Sequence, residues 1–188
     1  VHTGLVNEEM AAGLKYAGVD GVALDIIGAQ ETIKQVYHLD VTVEAFNESM
    51  ALLTQYGLSI RPHIILGLHY GKFLGEYNAL DMISKHNVHA LIVVIFMPLR
   101  GTKMQDVSPP PVEDVKEFLI QSRIKMPSTK ILLGCARPGG TYKSQVDKIA
   151  IESGINGIAY PAEGIIEHAQ SMGLTPSFYE NSCSCGIE

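Results

Sequence analysis

Polar, amphipathic stretches alternate along the chain with short apolar runs rich in β-branched residues, and glycine or asparagine turns separate them. In the first unit, apolar residues recur at helical spacing over 8–17, Gly18 suits the helix end, and an apolar run follows over 19–24. The same pattern predicts further helices over 43–56, 79–86, 112–124, 142–153 and 163–172, and further strands over 58–67, 90–96, 131–135 and 155–160. Each unit is therefore a helix followed by a strand.

Apolar strands with little alternation, separated by helices, are typical of a parallel sheet that helices cover. The sequence therefore predicts an α/β fold: a partial TIM-type (βα) barrel of about five to six parallel strands with helices outside. Residues 1–3 supply the short extra strand, because His2-Thr3-Gly4 precedes a helix as a strand end would. A closed eight-stranded barrel takes roughly 250 residues, so we expect an open sheet over 1–175 and a cysteine-containing tail over 176–188.

Composition excludes several classes of protein. Apolar residues make up 46% and charged residues 18%, as in ordinary globular proteins rather than disordered ones. The longest apolar run, Ala90–Leu99, is about half the length that a membrane span requires. A net charge of −6 with four scattered arginines argues against a nucleic-acid partner. Three cysteines do not form a disulfide framework, so we expect a reducing cytoplasm.

Candidate functional residues follow the predicted strands, where α/β folds place their sites. His2, Asp25 and His63 reach this rim from adjacent strands. Two histidines and a carboxylate suit a divalent metal, which makes a metal-dependent lyase or hydrolase one hypothesis. The alternative for His63 is a core histidine bonded to a backbone carbonyl.

Cysteine and arginine side chains mark a second candidate site. Cys135 and Arg137 stand two residues apart at a strand end, and Pro138-Gly139-Gly140 lets the backbone turn beside them. Cys183 and Cys185 lie in a polar tail and could hold iron or zinc, with Cys135 as a third ligand. The alternatives are a tail of idle thiols and an Arg137 that only pairs with a neighbouring carboxylate.

Four strings carry a resemblance to a known family: Gly18-Val19-Asp20 with Leu24-Asp25, His63-Ile64-Ile65-Leu66-Gly67-Leu68, Pro98-Leu99-Arg100-Gly101-Thr102, and Leu133-Gly134-Cys135-Ala136-Arg137. In this order they resemble the later strands of the radical S-adenosylmethionine superfamily, specifically biotin synthase and its relatives. On this resemblance, residues 1–3 end the third family strand, and the five full strands are the fourth to the eighth.

The resemblance implies reductive cleavage of S-adenosylmethionine to a 5′-deoxyadenosyl radical, hydrogen abstraction from an unactivated carbon, and sulfur insertion. Asp25 matches the ribose-binding carboxylate. Ile65 and Gly67 match the motif along the adenine, and Met97 matches the apolar residue that packs against it. Arg137 matches an arginine that ligates an auxiliary iron–sulfur cluster in biotin synthase.

Two departures from the family pattern refine these expectations. Val94 stands where biotin synthase has an asparagine that contacts its substrate, which implies a more apolar substrate such as an acyl chain. We also expect His63 to contact the substrate. Cys135 precedes Arg137 where that enzyme has no cysteine. An auxiliary cluster would therefore use Cys135 with Cys183 and Cys185.

The largest departure is the absence of the CxxxCxxC loop whose thiolates hold the [4Fe–4S] cluster of the family. We therefore expect the C-terminal portion of a longer enzyme, inactive by itself, with a small-molecule or acyl substrate and a partner protein that delivers electrons or sulfur. A non-catalytic binding module without its cluster is a further hypothesis.

Overall fold

A computed structural model describes residues 1–180. Its strands are β1 (His2–Thr3), β2 (Val22–Asp25), β3 (Ile60–Leu66), β4 (Ala90–Ile95), β5 (Lys130–Leu133) and β6 (Gly157–Ile158). Its helices are α1 (Glu8–Tyr16), α2 (Gln30–Thr32), α3 (Glu44–Gln55), α4 (Glu76–Ile83), α5 (Val112–Lys125), α6 (Gly140–Glu152) and α7 (Ile165–Ser171). A π-helical turn, Ile33–Tyr37, continues directly from α2.

All six strands belong to one parallel sheet in which each strand pairs with its neighbour in the sequence, from β1 to β6. Each of the five crossovers contains a helix of eight residues or more, as parallel neighbours require. The predicted α/β fold, a partial TIM-type barrel with five to six strands, is confirmed. In the described part of the chain the sheet is open, with β1 and β6 at its edges.

Two faces of the sheet bury different residues. On one face, alternate strand residues pack against the helices in the main core, and these residues are Val22, Leu24, Ile60, Ile64, Leu66, Leu91, Val93, Ile95, Ile131 and Leu133. The opposite face corresponds to the interior of a barrel, and we call it the inner face. There Ala90, Ile92, Val94 and Leu132 form a second apolar cluster. Burial on both faces explains why the strands show little alternation in the sequence.

Capping and charged residues explain where helix α1 begins and ends. Asn7 caps α1 because its side-chain oxygen accepts a hydrogen bond from the Met10 N–H, 2.9 Å away. Glu8 and Glu9 lie in the first turn of α1 and Lys15 in the last, which complements the helix dipole. The predicted ends of this helix are therefore close to the observed ones.

Several boundaries differ from the predicted ones. The sequence pattern did not predict α2 or the π-helical turn, because eight residues, 30–37, are too few for a clear helical period. Helix α4 begins at Glu76 rather than at residue 79, and β6 is two residues long rather than six. Cys183 and Cys185 lie outside the described residues. Within 1–180, no helix has the length and apolar content needed to cross a bilayer.

Candidate functional site at the carboxyl ends of the strands

Four polar side chains meet on the inner face, at the ends of β1 and β2 and beside the middle of β3. Asp25 is in register with His63, and His2 is in register with the residue two before Asp25, so all three share this face. The His2 Nε2 atom lies 3.4 Å from Asp25 Oδ1, and the two histidine rings are 5.0 Å apart. The Tyr37 hydroxyl donates a hydrogen bond to Asp25 Oδ2 at 2.9 Å. We call Asp25, His2, His63 and Tyr37 the rim cluster.

Burial sets the protonation states in the rim cluster. Desolvation lowers the pKa of His63, which is only 6% exposed, so its ring is neutral at pH 7. Its Nδ1 lies 3.0 Å from the Arg61 carbonyl, to which it donates when neutral. Burial and the adjacent Asp25 carboxylate raise the pKa of Tyr37, so its hydroxyl remains a donor. Asp25 keeps 28% of its side chain exposed and can accept further hydrogen bonds.

The metal triad predicted from His2, Asp25 and His63 is not supported. The three residues lie together as expected, but no group of three or more His, Cys, Asp or Glu side chains in 1–180 is arranged to hold a metal ion. His63 is instead the core histidine of the alternative prediction, bonded through Nδ1 to a backbone carbonyl. In this structure, hydrogen bonds and close polar contacts connect the residues of the rim cluster.

Apolar residues continue the inner face beside the rim cluster. Val94 is in register with Ile65, and both contact the cluster formed by Ala90, Ile92 and Leu132. Met97 follows the end of β4 and is 41% exposed. The structure thus places a carboxylate next to an apolar surface at one end of the sheet. The residues predicted for cofactor and substrate at Asp25, His63, Ile65 and Val94 share the inner face.

Gly67, which was also predicted to bind the cofactor, allows the chain to turn at the end of β3. Its φ of +74° favours glycine, and a Cβ atom there would lie 2.7 Å from the Pro110 ring. Its N–H donates to Glu76 Oε1 at 2.9 Å, and its carbonyl accepts from the Gly71 N–H. Gly67 therefore lets the chain turn sharply out of β3 beneath Pro110.

Glu76 organises this loop, and the sequence prediction missed it. Its two carboxylate oxygens accept hydrogen bonds from the backbone N–H groups of Gly67 and Leu74, at 2.9 and 2.6 Å. It lies at the first position of α4, where the helix dipole favours a negative charge, and it lines a pocket with Thr32 and Ile65. The acidic residue directly after Gly75 was the available sequence signal.

Glu76 should give the protein a characteristic pH dependence. Burial raises its pKa above the ordinary value of 4.5, so the folded state holds the proton more tightly than the unfolded state. Stability from this group therefore increases as the pH falls from the raised pKa towards 4.5. We expect the stability advantage of the wild type over Glu76→Gln in urea unfolding to grow across that pH range.

The matched control is Glu113→Gln, at an exposed position in the first turn of α5. Its stability difference from the wild type should change little with pH over the same range. A pH-independent difference for Glu76→Gln would contradict the assignment of the raised pKa to Glu76.

Arg137 is held inside the protein by a second network. Its Nε and one terminal nitrogen donate to the two oxygens of Asp147, at 2.7 and 3.0 Å, and neither side chain is exposed. Its terminal nitrogens also donate to the carbonyls of Gly134, Ala159 and Tyr160. This is the alternative prediction, in which Arg137 pairs with a carboxylate. Asp147 was missed, although an acid on a helix face with buried apolar neighbours is a signal.

The same network shapes the chain after β6. Lys143 bonds to Asp147 Oδ2 at 3.2 Å and also to the Tyr160 carbonyl, and the Ala162 N–H donates to Asp147. Tyr160 has a φ of +49° and is largely exposed. A non-glycine residue adopts this conformation only when its surroundings hold it there, and the network does so.

The described residues do not form an auxiliary-cluster site. Cys135 is exposed at the end of β5, whereas Arg137 is buried with its nitrogens bonded to protein oxygens. In the part of the chain that the structure describes, no second cysteine joins Cys135, and Cys183 and Cys185 lie outside it.

Comparisons with known proteins establish the fold. No protein-family model matches the sequence, and no curated protein is significantly similar to it. The crystal structure of an HMG-CoA lyase from Brucella melitensis matches with a TM-score of 0.64 and 14% identity, over 93% of this chain and 66% of that one. The crystal structure of a methylornithine synthase matches with a TM-score of 0.61 and 13% identity, over 93% and 57%. This chain spans less than two thirds of either neighbour.

Proposed function

We propose that the chain is the C-terminal part of a radical S-adenosylmethionine enzyme of the biotin or lipoyl synthase type, which abstracts hydrogen from an apolar acyl substrate and inserts sulfur. One observation carries the proposal: Asp25 lies at the rim of a partial barrel of six parallel strands, on the same inner face as an apolar cluster. Such a face matches a ligand with a polyhydroxyl group at one end and apolar parts beyond it. The family resemblance of the strand ends supports the same assignment.

Each residue of the site would have a distinct role. Asp25 would accept hydrogen bonds from the ribose hydroxyls through its exposed oxygen positions. Ile65 would lie along the adenine, and Met97, exposed after β4, would pack against it. Val94 would present an apolar surface to the acyl chain on the same face. His63, neutral and bordering this surface, would contact the substrate.

When bound, S-adenosylmethionine with its [4Fe–4S] cluster supplies the hydrogen-abstracting chemistry. The CxxxCxxC loop that holds this cluster in the family is not in this chain. We therefore propose that activity needs a further polypeptide portion and a partner protein for electron or sulfur delivery, in the cytoplasm. This chain's own task is to bind the nucleoside and the substrate and to exclude water from them.

Titration calorimetry with S-adenosylhomocysteine tests the nucleoside site on the full 188-residue chain. We expect binding by the wild type, and roughly tenfold or greater weakening in Asp25→Asn, because the amide is uncharged and accepts through one oxygen only. Asp20→Asn, at an exposed position before β2, removes the same charge away from the site and should bind normally. Absence of binding by the wild type, or equal weakening by both substitutions, would overturn the proposal.

A further inference from the structure

We propose that Tyr37 is a positioning residue that holds the Asp25 carboxylate in the orientation needed to receive ribose hydroxyls. This inference rests on the proposed function, and it adds a residue that neither the strand pattern nor the family resemblance identified. Tyr37 acts through Asp25 and does not itself need to touch the ligand.

The hydrogen bond between Tyr37 and Asp25 fixes the position of one carboxylate oxygen. The Tyr37 hydroxyl donates to Oδ2 at 2.9 Å, and His2 lies 3.4 Å from Oδ1 on the other side. Without a partner, the terminal torsion of an aspartate is broad, so its oxygens sample many directions. The Tyr37 bond narrows this range before any ligand arrives, which reduces the ordering required on binding.

The tyrosine reaches Asp25 because of the unusual backbone that carries it. Tyr37 is the last residue of the π-helical turn, and a π-helical turn contains more residues than an α-helical one. Side chains after such a turn are rotated about the helix axis relative to a regular α-helix. His38 then ends the segment in the left-handed conformation, with a φ of 55°. Such turns occur frequently at functional sites.

Contacts on both sides keep this segment in place. The Gln30 side-chain amide at its start donates to the Val41 carbonyl at 2.7 Å, and the Leu39 N–H donates to the Ile33 carbonyl at 3.2 Å. Tyr37 also packs against the main core. The Tyr37 hydroxyl is thus held next to Asp25 by a constrained segment, as a positioning role requires.

The test compares binding of adenosine and 2′,3′-dideoxyadenosine by isothermal titration to the full chain. The wild type should prefer adenosine, because only adenosine offers the 2′- and 3′-hydroxyls of the ribose to Asp25. Tyr37→Phe retains the ring but not the hydroxyl, and we expect it to weaken adenosine binding roughly tenfold while leaving dideoxyadenosine binding unchanged. In a double variant with Asp25→Asn, the loss should be no larger than for Asp25→Asn alone, because both changes act on one interaction.

Tyr142→Phe is the matched control, since it removes a hydroxyl that donates to the Pro110 carbonyl at 2.8 Å, outside the rim cluster. It should bind both nucleosides like the wild type. If Tyr37→Phe kept the wild-type preference for adenosine, or if its effect added fully to that of Asp25→Asn, the inference would be wrong while the proposed function stood. If the wild type itself did not prefer adenosine, the proposed function would fail, and this inference with it.

Discussion

Asp147→Asn is expected to lower the free energy of unfolding by about 3–5 kcal/mol, because it leaves the buried guanidinium of Arg137 without its counter-charge. Both side chains of this pair are fully buried. The asparagine amide would also place N–H donors against a group that can only donate. Lys143 and the Ala162 N–H would lose the same acceptor, so the segment carrying Tyr160 should loosen as well.

Urea unfolding followed by circular dichroism measures this effect. Asp81→Asn is the matched control, because Asp81 pairs with Lys125 at the surface, where ion pairs contribute at most about 1 kcal/mol. The double variant Arg137→Met with Asp147→Leu removes both charges but also the partners of three carbonyls and of the Ala162 N–H, so it should recover only part of the lost stability. A loss for Asp147→Asn as small as for Asp81→Asn would contradict a structural role for the network.

Gly28→Ala is expected to cost about 3 kcal/mol, at the upper end of the range for overpacked sites. A Cβ atom at Gly28 would lie 2.0 Å from the Gly75 carbonyl oxygen and 2.5 Å from the Ala79 nitrogen. These neighbours are backbone atoms and cannot rotate away. The start of α4 must therefore shift, which disturbs the Glu76 hydrogen bonds that shape the loop after β3.

Thermal unfolding of Gly28→Ala and Gly13→Ala measures this cost against a matched control. Gly13 lies inside α1, and a Cβ atom there would meet nothing within 4 Å beyond the nearby backbone of the helix itself, so alanine should stabilise the protein by roughly 0.5–1 kcal/mol. If glycine-to-alanine substitution destabilises the protein at Gly28 and stabilises it at Gly13, the close approach of the backbone to Gly28 is the cause of the destabilisation. A stabilising Gly28→Ala would show that the two segments separate readily.

Much of the fold was predictable because the burial of each helix or strand determines the pattern of apolar residues within that element. The all-apolar run of β4 and the helical spacing of α3 each indicate their element from a few consecutive residues. The candidate site was only partly predictable. Asp25 could be placed at a strand end and His63 on the neighbouring strand, whereas Tyr37 lies on a short π-helical turn that has no recognisable period.

The same limit applies to chemistry at the strand ends. The sequence allowed Arg137 to be a cluster ligand or the partner of a carboxylate, because spacing cannot say which group meets its guanidinium. The structure places Asp147 of α6 there, ten residues later, and buries both side chains. It likewise buries His63 with its Nδ1 beside the Arg61 carbonyl, as in the core histidine that the sequence allowed as an alternative.

The sequence by itself determined the layered, parallel architecture, because hydrophobic burial follows the helix and strand periods. Tertiary structure alone decided which hydrogen bonds the polar groups of the site form. The bonds from Tyr37 to Asp25 and from Arg137 to Asp147 join different elements, and hydrogen bonds require donor–acceptor distances near 3 Å that no local pattern encodes.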